Sequence, residues 1–509
     1  MKRDYCEIEK EIAEQGFFSE YLPPCFGLDD KVFMHGPPKK CDLIKPYRFT
    51  MSRYSGNNAR RSIFLPEVGS YVVARNYIRQ HDIIKEIIEF TDNNDVSFSP
   101  IVGANDRVMR HEQSYDLIIS GHEDNTISSD YIENIAKKIK KATGAKKVLK
   151  LDVSNCFSSF YMHMVPAIML GLEETERAYR ASLNSSDKLL EGESYAIYRK
   201  YRGLDEVIRQ MNLNRTNGLL SGPLISRVIA EGILTRIDLE LKEVGFKFSR
   251  YVDDYEVYIF EDNINEVINK FTRILKRYGF ALNNEKTEVL EFPYYVVENL
   301  EKIFYTYTRG KMDVEKLIEM FNRFYSLEHD GTKGAIRFLL KSLEHKPIIP
   351  EDPDLYKSFL ITIIGNDERS LIKACSLLIT QDEIITLTKQ DVDIVKSMLE
   401  KHIEFENDLE VLWLLHLLIK TGNKSAISSL IKELINSNNE LAHIMLLRND
   451  FFNVDKITAI SRKASSWILL YELYVSGHIT EDEFVSKLNL NKNLEMYRRL
   501  KEKEVHFCK

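Results

Sequence analysis

The chain has 509 residues, 44% of them hydrophobic, enough to bury a large core shared among a few domains, which excludes a disordered tail. Its formal charge of -7 excludes a uniformly basic nucleic-acid coat, so any groove for nucleic acid must be locally positive on an acidic background. Six cysteines form no C-x-x-C pair and have no histidine at zinc spacing, residues 1–16 lack an apolar stretch, and no apolar run reaches the ~18 residues of a membrane span; a reduced, cytoplasmic protein with no membrane association is expected.

In chain order, residues 1–110 mix Pro-Gly punctuation, at Pro23-Pro24 and Gly36-Pro37-Pro38, with a strand pattern over 62–65 and a helical pattern over 68–89, the signature of a small loop-rich subdomain. Basic residues gather here, with Lys39, Lys40, Lys45, Arg48, Arg53, Arg60 and Arg61 meeting few acids. A second basic stretch, 137–150, opens on what reads as an exposed helix over 137–141. Within 111–300 the patterns run strand (148–153), helix from Cys156, helix (224–244), hairpin around 252–254, helix (264–278) and strand (287–292). That order fits a split βαββαβ sheet in an α+β fold.

Over 301–509 the texture changes to short amphipathic helices divided by polar breaks such as Gly365-Asn366-Asp367, Thr421-Gly422-Asn423 and Asn436-Ser437-Asn438-Asn439. Leu409, Leu412, Trp413, Leu415 and His416 fall at helical spacing, as do Ile427, Leu430, Ile431, Leu434 and Ile435. Stacked helical hairpins follow from this, an all-α repeat-like domain with no clean period, whose stripes are core packing.

Chemistry concentrates in Phe248-Ser249-Arg250-Tyr251-Val252-Asp253-Asp254-Tyr255-Glu256-Val257-Tyr258-Ile259, where apolar and aromatic residues flank an acidic pair at a tight turn. Adjacent carboxylates repel and raise each other's pKa unless a cation neutralises them, which points to a metal site, although Asp-Asp turns are common in ordinary proteins. Asp152 shifts the balance, because it ends the apolar strand Leu149-Lys150-Leu151 and supplies an acid from a separate element. Two-metal phosphoryl transfer needs carboxylates from different elements bridging ions about 3.5–4 Å apart, one activating a hydroxyl and one stabilising the leaving pyrophosphate. Asp152, Asp253 and Asp254 are therefore the candidate catalytic residues, and with Val153 they make up the candidate set for two divalent ions, Mg2+ or, as the alternative, Mn2+.

In this order of motifs the sequence resembles the reverse transcriptases. Residues 152–157 resemble the first palm motif, Asn217-Gly218-Leu219-Leu220-Ser221-Gly222-Pro223 the second, Tyr251-Val252-Asp253-Asp254 the YxDD third, and Gly279-Phe280 with 283–287 the fourth. The resemblance implies that Phe157, the aromatic five positions after the first aspartate, excludes a ribose 2'-hydroxyl and selects deoxynucleoside triphosphates. It further implies that Arg60 or Arg61, in a segment like the family's fingers, reaches the triphosphate, where a planar guanidinium fork engages phosphate oxygens bidentately. Ser221, Gly222 and Lys286 complete the expected nucleotide site.

The chain departs from that pattern where Leu220-Ser221 replaces the usual Pro-Gln, and it shows no primer-grip or thumb segment after Phe292. These departures, with Phe160-Tyr161-Met162-His163 and Ser226-Arg227-Val228-Ile229-Ala230-Glu231, narrow the resemblance to the abortive-infection reverse transcriptases of bacterial anti-phage defence. That family implies a fingers and palm without a conventional thumb, joined to the helical domain. It also implies homo-oligomers, and template-independent synthesis of single-stranded DNA that stays covalently attached to a priming tyrosine. Tyr5 is the candidate nucleophile, with Tyr21, Tyr47 and Tyr54 competing among 26 tyrosines. Two other readings stand beside this one: a conventional RNA-templated reverse transcriptase, and an interaction or toxin effector acting through the helical domain, where Arg499 and His506 fit a loose ribonuclease spacing.

Overall fold

Val148, Leu149 and Leu151 leave β3 (Lys147–Asp152) buried on both faces, and such a strand belongs in the middle of a sheet. The computed structural model, which describes residues 3–34, 41–52, 60–103, 106–110, 130–184, 192–261 and 263–509, puts it there. A four-stranded antiparallel sheet runs in the order β4-β5-β3-β6, with β4 Phe248–Tyr251, β5 Asp254–Ile259 and β6 Glu288–Glu291. The helix Leu224–Glu243 links β3 to the β4–β5 hairpin, and Ile264–Arg277 links the hairpin to β6. With the first strand of the unit lying between the third and the fourth, this is the split arrangement expected from the patterns. Tyr255 of β5 meets Phe271 edge to face at 5.0 Å, seating the second helix on the sheet.

The helix expected from Cys156 is one turn, Cys156–Ser159. Further helices then fill the sequence before the second motif: Ala167–Leu170, Leu172–Asn184 and Glu193–Gln210. The last buries Tyr195, Tyr198, Tyr201, Leu204 and Ile208 at spacings of three and four, a stripe as legible as any in the sequence.

A separate two-stranded ribbon pairs β1 (Tyr47–Ser52) with β2 (Arg60–Leu65), antiparallel from Tyr47↔Leu65 to Ser52↔Arg60. A lone two-stranded ribbon is marginal in water and needs a surface to lie on. The helical C-terminal region supplies it. From Leu300–Thr308 to Leu494–Glu502 that region is a succession of packed helices, and Asp408, at the start of the helix Asp408–Lys420, accepts from the Thr50 amide at 2.8 Å and its hydroxyl at 3.0 Å. The Glu440 amide donates to the Tyr47 hydroxyl at 3.1 Å, Trp467 Nε1 donates to the Leu65 carbonyl at 3.3 Å, and Trp413 Nε1 to the Tyr21 carbonyl at 2.7 Å. One continuous apolar core joins the sheet, the ribbon's inner face and the helices.

Among the described residues no helix is long and apolar enough to cross a membrane. The basic helix of the second cluster spends part of its charge internally, since Lys138 pairs with Glu256 at 3.0 Å and Lys141 with Asp95 at 2.8 Å. Lys39, Lys40 and Arg53 of the first cluster lie outside the described residues, as does Tyr54.

Candidate active site

Strand pairing alone brings the acids together. Asp152, the last residue of β3, lies directly opposite Asp254, the first of β5, so both side chains leave the same face of the sheet. Asp253 sits in the turn that precedes β5, and its carbonyl accepts from the Val153 amide at 3.1 Å, tying the hairpin tip to the end of β3. Beyond Val153, which is itself buried, Asn155 takes a left-handed φ of 48°, a conformation asparagine tolerates, and turns the chain into Cys156–Ser159.

The fourth motif grips Asp152 from the other side. The Asn283 amide donates to its carbonyl at 2.8 Å, Asn283 Nδ2 to its Oδ2 at 3.0 Å, and Lys286 Nζ to its Oδ1 at 2.8 Å. Burial works against the Lys286 charge, but the bond to Asp152 and the charges of Asp254 and Asp253 raise its pKa overall. Desolvation first, and then the charge on Asp152, push the Asp253 carboxyl upward, with Arg61 and Lys286 opposing. Although Asp254 is exposed as a residue, crowding around its carboxyl and the neighbouring Asp253 and Asp152 charges push it up to about 7. Three carboxylates thus share two cationic partners, and the excess negative charge holds a proton near neutral pH.

Hard oxygen donors with surplus negative charge are the chemistry that magnesium or manganese takes, so the donor set fits such ions. Among the described residues no group of three His, Cys, Asp or Glu side chains is arranged to hold a metal ion, and both Asp152 oxygens are engaged, by Lys286 and Asn283.

The structure separates the two arginines. Adjacent residues on a strand point to opposite faces: Arg61 is exposed and lies near enough to Asp253 to act on its charge, whereas Arg60 turns to the helical region. There its guanidinium pairs with the buried Glu410, lies 3.5 Å from Glu368 and donates to Thr50 Oγ1 at 3.2 Å. Of the pair, Arg61 faces the acids and Arg60 anchors the ribbon.

Ser221 and Gly222 form a strap against β2. The Phe64 amide donates to the Ser221 carbonyl at 2.7 Å, and Gly222, at φ 138°, lies so close that a Cβ there would come within 2.5 Å of the Phe64 carbonyl oxygen. Phe157 is half-buried, and its carbonyl accepts from the Leu219 amide at 2.8 Å, joining the first motif to the second.

Tyr5 begins a short helix, Tyr5–Lys10, with Lys85 over its ring at 5.7 Å and with Arg3 and Glu89 beside its hydroxyl, so its described neighbours are not the aspartates. Burial raises its phenol pKa. Tyr47 is buried, its hydroxyl held by the Glu440 amide. Arg499 and His506 are bonded to separate partners: Arg499 to Glu495 on its own helix at 3.2 Å, and His506 to Glu472 at 2.8 Å.

Arg250 and Glu231 lie in quoted motif segments, but the sequence assigns them no role. Arg250 is completely buried, pairing with Glu231 and Asp238 at 2.8 Å each. A signal for it exists, since two acids seven positions apart share one face of the helix and are both buried, and buried carboxylates demand a cation.

No protein-family model matches the chain, and no curated protein matches it. Among solved structures, it is similar to telomerase from Candida tropicalis in complex with a TWJ fragment of telomeric RNA, at 11% identity and a TM-score of 0.33, over 74% of this chain and 65% of that one. Apo telomerase from Candida tropicalis gives 12% identity and a TM-score of 0.34, over 75% and 70% of the two chains. Telomerase from Candida albicans with the TWJ fragment gives 13% and 0.29, over 81% and 67%. Scores at this level transfer neither fold nor function to this chain, which spans less than two thirds of the first of these structures.

Proposed function

We propose that the chain is a nucleotidyltransferase of reverse-transcriptase type, related to the abortive-infection enzymes of anti-phage defence, that polymerises deoxynucleotides without a template from a tyrosine of its own. The observation that carries the polymerase reading is the pairing of Asp152 opposite Asp254 with Asp253 in the adjoining turn. Asp152, Asp253 and Asp254, with Val153 alongside, would hold divalent ions, magnesium or manganese. Bound there, such ions supply charge that favours a deprotonated attacking hydroxyl and offsets the developing charge on the pyrophosphate.

The chain's own residues do the positioning. Arg61, exposed on β2 toward Asp253, presents its guanidinium fork to triphosphate oxygens, and the strap at Ser221-Gly222 fixes how far β2 stands from Phe157. On this reading Phe157 is the residue that excludes a ribose 2'-hydroxyl. The hydroxyl oxygen bonds to the α-phosphorus, the bond from that phosphorus to the β,γ-pyrophosphate breaks, and the hydroxyl proton passes to solvent. The missing Pro-Gln before Gly222 supports synthesis without a template. A homo-oligomer and a tyrosine primer belong to the same family reading; Tyr5 is the first to test, because the Tyr47 hydroxyl is buried and bonded.

The decisive experiment is intact mass of nuclease-treated protein incubated with magnesium and deoxynucleoside triphosphates alone. A ladder of nucleotide additions that collapses on DNase digestion is expected, absent from the variant carrying Asp253→Asn with Asp254→Asn and lost in Tyr5→Phe if that residue primes. Synthesis that needs added RNA would replace this reading with templated copying. Phage protection surviving in the double-asparagine variant would move the function to the helical region.

A further inference from the structure

Only Val252 and Asp253 separate the paired residues Tyr251 and Asp254, and Val252 has a φ of 54°. Two-residue hairpin turns call for positive φ, where glycine or asparagine is the ordinary occupant; a β-branched side chain there is a genuine outlier. Left alone, such a turn would relax.

Two grips oppose that. The Val252 amide donates to Ser99 Oγ at 2.8 Å, and Arg250 Nη1 donates to the Val252 carbonyl at 2.9 Å. Arg250 is in turn fully buried and bonded on every side-chain nitrogen. Its Nη1 and Nη2 reach the two Glu231 oxygens at 2.9 and 2.8 Å, and its Nε reaches Asp238 Oδ2 at 2.8 Å. Ser97 Oγ bonds Glu231 at 2.8 Å, and Asn94 Nδ2 bonds Asp238 at 2.6 Å. The Arg250 backbone is also bonded at both ends, its amide to the Val96 carbonyl and its carbonyl to the Phe98 amide, each at 2.8 Å. Well-packed apolar groups often replace a buried ion triad at no loss of stability. What they cannot replace is a rigid donor aimed at one backbone carbonyl.

We propose that Arg250, seated on Glu231 and Asp238, acts with Ser99 as a positioning device that keeps Val252 left-handed and thereby fixes the direction in which Asp253 and Asp254 present their carboxylates. The catalytic consequence rests on the polymerase reading above; the conformational one does not.

A double-mutant cycle separates the two. R250K shortens the fork and V252G removes the strain the fork opposes. With Val252 present, R250K lowers kcat for nucleotide incorporation about 100-fold with KM little changed, and speeds hydrogen exchange of the hairpin amides about tenfold. In the V252G background both losses shrink at least about threefold. If R250K does not fold, S99A, which leaves the ion triad intact, runs the same cycle with about a tenfold loss. Equal losses in the valine and glycine backgrounds overturn the proposal. Coupled exchange rates in a protein that incorporates no nucleotide would sink the polymerase reading and leave the turn device standing, whereas incorporation with purely additive losses would do the reverse.

Discussion

Asp254 makes the acidic face a pH-dependent element of stability. Its carboxyl binds a proton more tightly in the folded chain than in the unfolded one, so its contribution to stability is lost as pH rises from the ordinary 3.8 to about 7. Asp254→Asn should flatten that slope. A divalent ion needs the carboxylate that the proton blocks, so the rise in melting temperature on adding magnesium should be small near about pH 5 and largest above about pH 7. Scanning fluorimetry across that range, with and without magnesium, checks both; a shift independent of pH would remove the acids as the metal site. Lys286 gives a second residue-level expectation, because under the proposed function its ammonium, bonded to Asp152 Oδ1 at 2.8 Å, competes with an ion for that oxygen. Lys286→Gln should tighten manganese binding several-fold, read by titration, while weakening nucleotide binding.

At the scale of the element, the β1–β2 ribbon divides its labour by strand alternation. Arg61→Ala should raise KM for the nucleotide about tenfold, or about 1.4 kcal/mol, and leave the melting temperature nearly unchanged. Glu410→Ala, which leaves Arg60 without its buried partner, should destabilise the chain by roughly 1–3 kcal/mol and raise KM as well, because the strand carrying Arg61 loosens. Steady-state kinetics beside chemical denaturation separates these outcomes. The sequence disclosed the elements here and concealed their partners. The βαββαβ order was legible because Val148, Leu149 and Leu151 and the helical stripes follow simple periods, and the three acids were legible because they end or interrupt apolar strands. Arg60 and Arg61 were indistinguishable, since which face of β2 meets the acids depends on the helix Asp408–Lys420 lying across the other, a contact spanning about 350 positions. Arg250 stayed hidden for the same reason: its partners lie on a helix and on segment 94–99, and a buried cation in a strand has no local period.

Over the whole molecule, the helical region serves as the floor on which the N-terminal half is laid. The Tyr497 hydroxyl donates to Glu67 Oε1 at 2.6 Å, and Glu67 caps the helix Val68–Gln80 by accepting from the Gly69 and Ser70 amides at 2.8 and 2.7 Å. With Trp467 on Leu65, Glu440 on Tyr47 and Asp408 on Thr50, both strands of the ribbon are tied to residues beyond 400. A fragment ending near residue 300 should therefore expose the floor of the ribbon and fail to unfold cooperatively, whereas the full chain should lose its sheet and helix signals together in denaturant.

The strap at Gly222 carries this into kinetics. β2 is pressed against one backbone closely enough to forbid even a methyl group, and its companion strand is bolted to the helices, so both described strands of the ribbon are held. Its amides should exchange hydrogen no faster than those of the helix Asp408–Lys420 beneath it, so the strand proposed to meet the nucleotide would be among the slowest parts of the protein to breathe, and under that proposal substrates would enter a slot already set to width.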